Sequence, residues 1–120
     1  YIIRLCRLPS NARILSFKVA SDDLDSGTDI ALNYGLYETD GTIIDEDEFA
    51  SAFEHQSAVA FTEILVEAAA TDISLLTSTL ADRAGESNVN KYYDVCATNT
   101  AATSGLQAAT FAFIILYTVD

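Results

Sequence analysis

Alternation of apolar and polar side chains runs through most of this chain and predicts strands. In the segment ILSFKVAS, the apolar residues Leu15, Phe17 and Val19 occupy every second position, as on the buried face of a half-exposed strand. Other segments repeat this period or are short apolar runs of strand length. The pattern predicts six strands, over residues 1–8, 14–21, 29–38, 60–66, 91–98 and 107–118.

Turn and helix signals separate these segments. Pro9-Ser10-Asn11 is a turn triplet, and Asp40-Gly41 is a strong hairpin signal. Two short helices are predicted, one over residues 45–53 behind an acidic first turn, and one from Thr71 to Gly85. Because strands and helices do not alternate as βαβ units, we expect largely antiparallel sheets.

These elements predict one domain over residues 1–120, an all-β antiparallel sandwich of jelly-roll-like type with one or two short helices. The length suits a single hydrophobic core. The expected core positions are Leu15, Phe17, Val19, Leu32, Leu36, Phe49, Phe53, Leu76, Val95, Phe111, Phe113 and Ile115.

The acidic stretch ETDGTIIDEDEF resembles a calcium-binding loop at first sight. Aligning Gly41 with the turn glycine of an EF-hand places Leu36, which has no oxygen ligand, at the first coordinating position. The preceding residues also alternate as in a strand, where an EF-hand needs a helix. We therefore expect Asp40, Asp45 and Asp47 to form a turn and cap a helix, with no essential metal and no cofactor.

Charge is abundant but unevenly distributed. The chain has 18 acidic and six basic residues and a net charge of −12, which argues against binding to nucleic-acid phosphates. The first acid is Asp22, and four of the six basic residues precede it. Residues 101–119 carry no charge, yet their apolar core, Phe111 to Tyr117, is far shorter than the roughly 20 residues of a membrane span.

Candidate catalytic residues are few. His55 is the only histidine, and neither a GxSxG nucleophile elbow nor a zinc-ligand set accompanies it, so we expect no enzyme activity. Cys6 and Cys96 could be two buried thiols or one bridge between neighbouring strands. Tyr1 stands where a gene product would begin with methionine, so we expect a trimmed, processed or partial chain.

Four segments, in this order, resemble a group of small bacteriophage structural proteins. They are RLCRLPSNA, LNYGLY, DGTIIDEDEFASA and TLADRAG, and together with a strand-rich tail they extend over nearly the whole chain. The last segment departs from the group, whose members tend to be richer in aromatic residues there. The resemblance implies a virion protein with a β-sandwich fold, no catalytic residues and no cofactor, located on the capsid surface as a decoration or cement protein.

The expected partners are the major capsid protein and further copies of the chain, with a trimer favoured because capsids offer threefold sites. Capsid docking is expected to use Arg4, Arg7 and Arg13, although ordinary outward strand positions explain these residues too. The uncharged segment 106–119, with Phe111, Phe113 and Ile115, is the candidate oligomer interface, or else a central core strand. An alternative function is a carbohydrate- or receptor-binding module, because tyrosines and acids are frequent.

Overall fold

The computed structural model describes residues 2–23, 30–55, 57–65, 78–86, 90–99 and 109–119. Strands account for most of these residues, and one short helix, α1, spans Leu80–Arg83. The strands are β1 Ile2–Pro9, β2 Ala12–Ser21, β3 Ala31–Tyr37, β4 Ile43–Glu54, β5 Val59–Glu63, β6 Tyr92–Asn99 and β7 Phe111–Val119.

Two antiparallel sheets form the molecule. The first has the strand order β1-β6-β3-β4 and the second has the order β5-β2-β7. Their inner faces share one hydrophobic core, in which Phe17 of β2 packs edge-on against Tyr34 of β3 with ring centroids 5.6 Å apart. The predicted all-β antiparallel sandwich with a short helix is therefore confirmed.

A β-bulge in β2 changes which side chains enter the core. Ile14 pairs with Tyr117 and Ser16 pairs with Leu116, so Leu15 is an extra residue without a partner in β7. The bulge turns Ile14 inward, where it is fully buried, and leaves Leu15 46% exposed. The prediction of Leu15 as a core residue is wrong for this reason.

The predicted helix over residues 45–53 is also wrong, because this segment belongs to β4. Between the pairs Tyr34 with Ala50 and Leu36 with Asp45, β3 contributes one residue, Gly35, while β4 contributes four. The excess length bends over Gly35 so closely that a Cβ there would lie 2.2 Å from the backbone carbon of Glu46. Helix-like spacing of Phe49 and Phe53 thus reflects a bulged strand, in which Phe49 is buried and Phe53 half-buried.

The helix predicted from Thr71 to Gly85 is observed only in its last turn, and residues 71–77 lie outside the described residues. Thr79 caps α1: its hydroxyl accepts from the Asp82 amide, and the Asp82 carboxylate accepts from the Thr79 amide. Gly85 follows the helix with a φ of 76°, which suits the predicted glycine stop.

Most of the expected core is buried. Phe17, Val19, Leu32, Leu36, Phe49 and Val95 are fully enclosed. The half-buried side chains that pack against this core include Phe53, Phe111, Phe113 and Ile115, and Leu76 lies outside the described residues.

Candidate functional site

The expected docking arginines divide between the two sheets. Arg4 and Arg7 lie on β1, where Arg7 faces Asp94 of the neighbouring strand β6. Arg13 lies on β2 in the other sheet, opposite Thr118, and is half-buried. The structure therefore brings Arg4 and Arg7 together but does not include Arg13 with them.

A second bulge explains why Arg4 and Arg7 share a face. Residues three apart on a regular strand point to opposite sides of the sheet. In β1 the register shifts between Arg4 and Cys6, because Leu5 is an additional residue without a partner in β6. This bulge places Arg4 and Arg7 on the same side of the sheet. The periodicity of the sequence does not predict it.

Asp94 holds the two guanidinium groups in place. Arg7 Nε donates to Asp94 Oδ1 at 2.8 Å, Arg7 Nη2 donates to Oδ2 at 3.4 Å, and Arg4 Nε lies 3.8 Å from Oδ2. The carboxylate is buried while both arginine side chains are about half exposed. The hydrogen bond and the negative charge of Asp94 raise the pKa of Arg7. Two cations share one carboxylate, so the group formed by Arg4, Arg7 and Asp94 has a net positive charge on a strongly acidic protein.

The two cysteines lie beside this cationic cluster. Cys6 on β1 and Cys96 on β6 are free thiols on neighbouring strands, and Cys6 lines an open groove of about 350 Å³ together with Arg4, Arg7 and Asp94. Burial, and then the charge of Asp94, raise the pKa of both thiols to about 11. At neutral pH they are therefore protonated and poorly nucleophilic.

Lys91 takes part in a different polar cluster. Its ammonium group donates to both carboxylate oxygens of Glu38 at 2.8 Å and to Glu86 at 3.2 Å, which raises the pKa of Lys91 to about 12. Tyr93 also donates to Glu86 at 2.6 Å. Two carboxylates bind one ammonium group, so this cluster has a net negative charge. It links the segment after α1 to the turn between β3 and β4, and it is unsuited to binding an acidic partner.

The candidate interface residues of β7 point toward the core. Phe111, Phe113 and Ile115 are half-buried and pack against it. The same strand also exposes other large apolar side chains, which the sequence reasoning did not single out. Ile114 and Leu116 are exposed on its outer side, and Tyr117 and Val119 are exposed near its end.

His55 forms a buried polar chain that sequence reasoning also missed. Ser21 Oγ lies 2.9 Å from His55 Nδ1, and Tyr34 Oη lies 2.7 Å from His55 Nε2. The His55 ring also contacts Phe53 and Phe111, with centroids 5.3 and 5.9 Å away. Strand alternation could have suggested that Tyr34 points inward, but no local signal places His55 between the sheets.

The arrangement of serine, histidine and tyrosine invites comparison with a catalytic triad, since Ser21 lines an open groove of about 230 Å³. Burial lowers the pKa of His55 to about 4, and its second nitrogen faces the neutral hydroxyl of Tyr34 where a triad has a carboxylate. An imidazole this weakly basic is a poor proton acceptor for a serine. The chain of hydroxyls instead satisfies both ring nitrogens and ties β2, β3 and the end of β4 together.

The acidic hairpin contains local turn contacts. The Thr42 amide donates to Asp40 Oδ1 at 2.9 Å, and the Asp47 amide donates to Asp45 Oδ1 at 3.2 Å. The bond from Thr42 lowers the pKa of Asp40. Within the described ranges, no three histidine, cysteine or carboxylate side chains cluster as a metal site would require.

No helix of the described part of the chain is long and apolar enough to cross a membrane. Comparison of the sequence with models of protein families, with curated proteins and with solved structures gives no match.

Proposed function

We propose that this chain is a bacteriophage virion structural protein, a decoration protein that binds the outer surface of the head as a homo-oligomer and stabilises the capsid. The resemblance of RLCRLPSNA and DGTIIDEDEFASA to small phage structural proteins motivates the proposal. The two-sheet sandwich, with no catalytic arrangement evident among the described residues, is compatible with it.

The observation that carries the proposal is the pair Arg4 and Arg7 on one face of β1. A guanidinium group has five N–H donors, and Asp94 accepts only some of those on the two arginines. The remaining donors are available to solvent-side acceptors, because both side chains are about half exposed. Asp94 also restricts the side chain of Arg7, which reduces the entropy that binding would cost.

The partner that fits this face is an acidic surface. Guanidinium groups bind carboxylates in paired hydrogen bonds and retain their charge at any physiological pH. Phosphates of nucleic acid would also suit a guanidinium, but their charge is continuous along the backbone, so a protein with a net charge of −12 would be repelled along the whole contact, whereas a few grouped carboxylates could face the arginines alone. We therefore assign the face to carboxylates on the major capsid protein.

The proposal is tested with undecorated heads of the phage that encodes this chain. Bound copies per capsid subunit are measured by cosedimentation, and saturable binding is expected. Arg4→Gln should weaken binding by about tenfold, the order of effect of one interfacial charge. Arg4 is the better choice than Arg7, since Arg7 makes the shorter contact with the buried carboxylate.

Lys18→Gln is the matched control, because Lys18 is an exposed cation on β2, in the other sheet. It should bind heads as the native chain does. Circular dichroism establishes that both variants are folded. Absence of binding by the native chain would overturn the virion proposal, and equal binding by both variants would overturn the docking face.

A further inference from the structure

The described sheets have four edge strands, and three of them have features that prevent pairing with a strand of another molecule. Edge strands expose backbone donors and acceptors, and proteins protect them with charges, proline, bulges or short length. The strand β1 has Arg4, Arg7 and Pro9, β4 is acidic and bulged, and β5 is five residues long and contains Glu63.

The fourth edge strand, β7, has none of these features at its exposed edge. Its nine residues, FAFIILYTV, include no charge and no proline, and among the described strands it pairs with β2 alone. Ile114 is 49% and Leu116 55% exposed on its outer side. A long apolar edge of this kind is expected either to aggregate or to be covered by a specific partner.

We infer that a second copy of the chain covers this edge, with β7 pairing antiparallel to β7 of the partner about a twofold axis. A strand that pairs with itself makes an isologous contact, which closes at two copies. The other described edges carry their own protection, so this contact does not propagate into a fibre. The inference specifies the homo-oligomer of the proposed function as a dimer, in place of the trimer expected from the sequence.

Charge favours this occupant and this direction. Two copies that each have a net charge of −12 repel each other, so they approach most easily through a surface that has no charge of its own. The nine residues of β7 include no charged side chain. The Phe111 end of β7 lies beside Asp22, whose carboxylate accepts from the Thr110 amide at 3.3 Å. Antiparallel pairing keeps the Asp22 carboxylates of the two copies at opposite ends of the contact, whereas parallel pairing would bring these like charges together.

The length of the edge suits this pairing. A strand of nine residues is roughly 30 Å long. Pairing along this length joins the β5-β2-β7 sheets of the two copies into one continuous sheet of six strands. A register centred on Ile115 pairs Phe111 of one copy with Val119 of its partner.

Sedimentation equilibrium of the purified chain, without heads, tests the inference. The native chain is expected to be a dimer at micromolar concentration. Leu116→Lys places a charge on the outer side of β7 and should weaken dimerisation at least tenfold. Phe61→Lys is the matched control, since Phe61 is 53% exposed on β5, and it should leave the dimer unchanged.

Circular dichroism and thermal unfolding verify that both variants fold, and Ile114→Lys repeats the test at a second position should Leu116→Lys fail to fold. A monomeric or trimeric native chain would overturn the inference, as would a dimer that both β7 variants leave intact or that Phe61→Lys disrupts equally. Because no capsid is present, failure here leaves the proposal of head binding standing, and failure of head binding leaves the dimer standing.

Discussion

The missing side chain of Gly35 lets β4 bend across β3. A Cβ at this position would lie 2.2 and 2.3 Å from backbone atoms of Glu46 and Asp45, which cannot rotate away as a flexible side chain can. We expect Gly35→Ala to lower the free energy of unfolding by about 3 kcal/mol or more, at the upper end of the cost of overpacking. Urea denaturation followed by circular dichroism measures the change.

Gly85→Ala is the control for Gly35→Ala. Gly85 has a φ of 76° but no atom within 4 Å of an added Cβ, so only backbone strain of roughly 1–2 kcal/mol is expected. Equal destabilisation by the two variants would contradict the close approach of β3 and β4.

The burial of His55 predicts a pH dependence of stability. Its folded pKa of about 4 lies below the ordinary value of 6.5, so between these values the unfolded chain takes up a proton that the folded protein excludes. The stabilisation is complete above pH 6.5 and is lost as the pH falls toward 4, by up to roughly 3 kcal/mol. The described hydrogen-bond partners of His55 are Ser21 and Tyr34. Both are neutral hydroxyls, so neither offsets the charge of an imidazolium.

Comparison with His55→Gln isolates this contribution from that of the many carboxylates. The free energy of unfolding is measured by denaturation at pH 7, 6, 5 and 4.5 for both proteins. The native chain should lose more stability over this range than the variant, even if the variant is less stable at pH 7. Parallel pH profiles would show that His55 does not exclude a proton.

At the scale of elements, the bulge in β2 predicts opposite sensitivities for neighbouring apolar residues. Phe17 is fully buried between the sheets and Leu15 is 46% exposed. Phe17→Ala should cost about 3–5 kcal/mol, through lost burial and the cavity left behind. Leu15→Thr should cost less than about 0.5 kcal/mol, as at other surface positions. Thermal and chemical unfolding of the two variants measure this difference, and a large loss from Leu15→Thr would contradict the bulge.

The same bulges mark the limit of what the sequence could predict. Alternation found the strands around Phe17, Leu32 and Val95, because two-residue periodicity is a local property of a regular strand. An extra residue reverses the alternation without any local signal, which is why Leu15 was misassigned. Arg7 pairs with Asp94, and His55 pairs with Ser21, although the members of each pair are distant in the sequence. A single sequence does not specify which distant residues come into contact. Of the three arginines predicted to dock, Arg4 and Arg7 share a face and Arg13 lies in the other sheet.

At the scale of the whole molecule, the two proposed contacts should respond to salt in opposite directions. Binding of Arg4 and Arg7 to acidic capsid residues joins opposite charges, and screening weakens it. Dimerisation through β7 joins two copies that each carry a net charge of −12, and screening weakens their repulsion.

The last prediction follows from this opposition. Raising sodium chloride from 0.05 to 0.5 M shortens the screening length from about 14 to about 4 Å. The dissociation constant of the dimer, measured by sedimentation equilibrium, should then fall. The dissociation constant for binding of the dimer to heads should rise. Arg4→Gln should reduce the salt dependence of head binding and leave that of dimerisation nearly unchanged, because Arg4 lies on β1, in the other sheet from β7. Dimerisation that weakens with salt would mean that ion pairs, rather than an uncharged strand edge, hold the copies together.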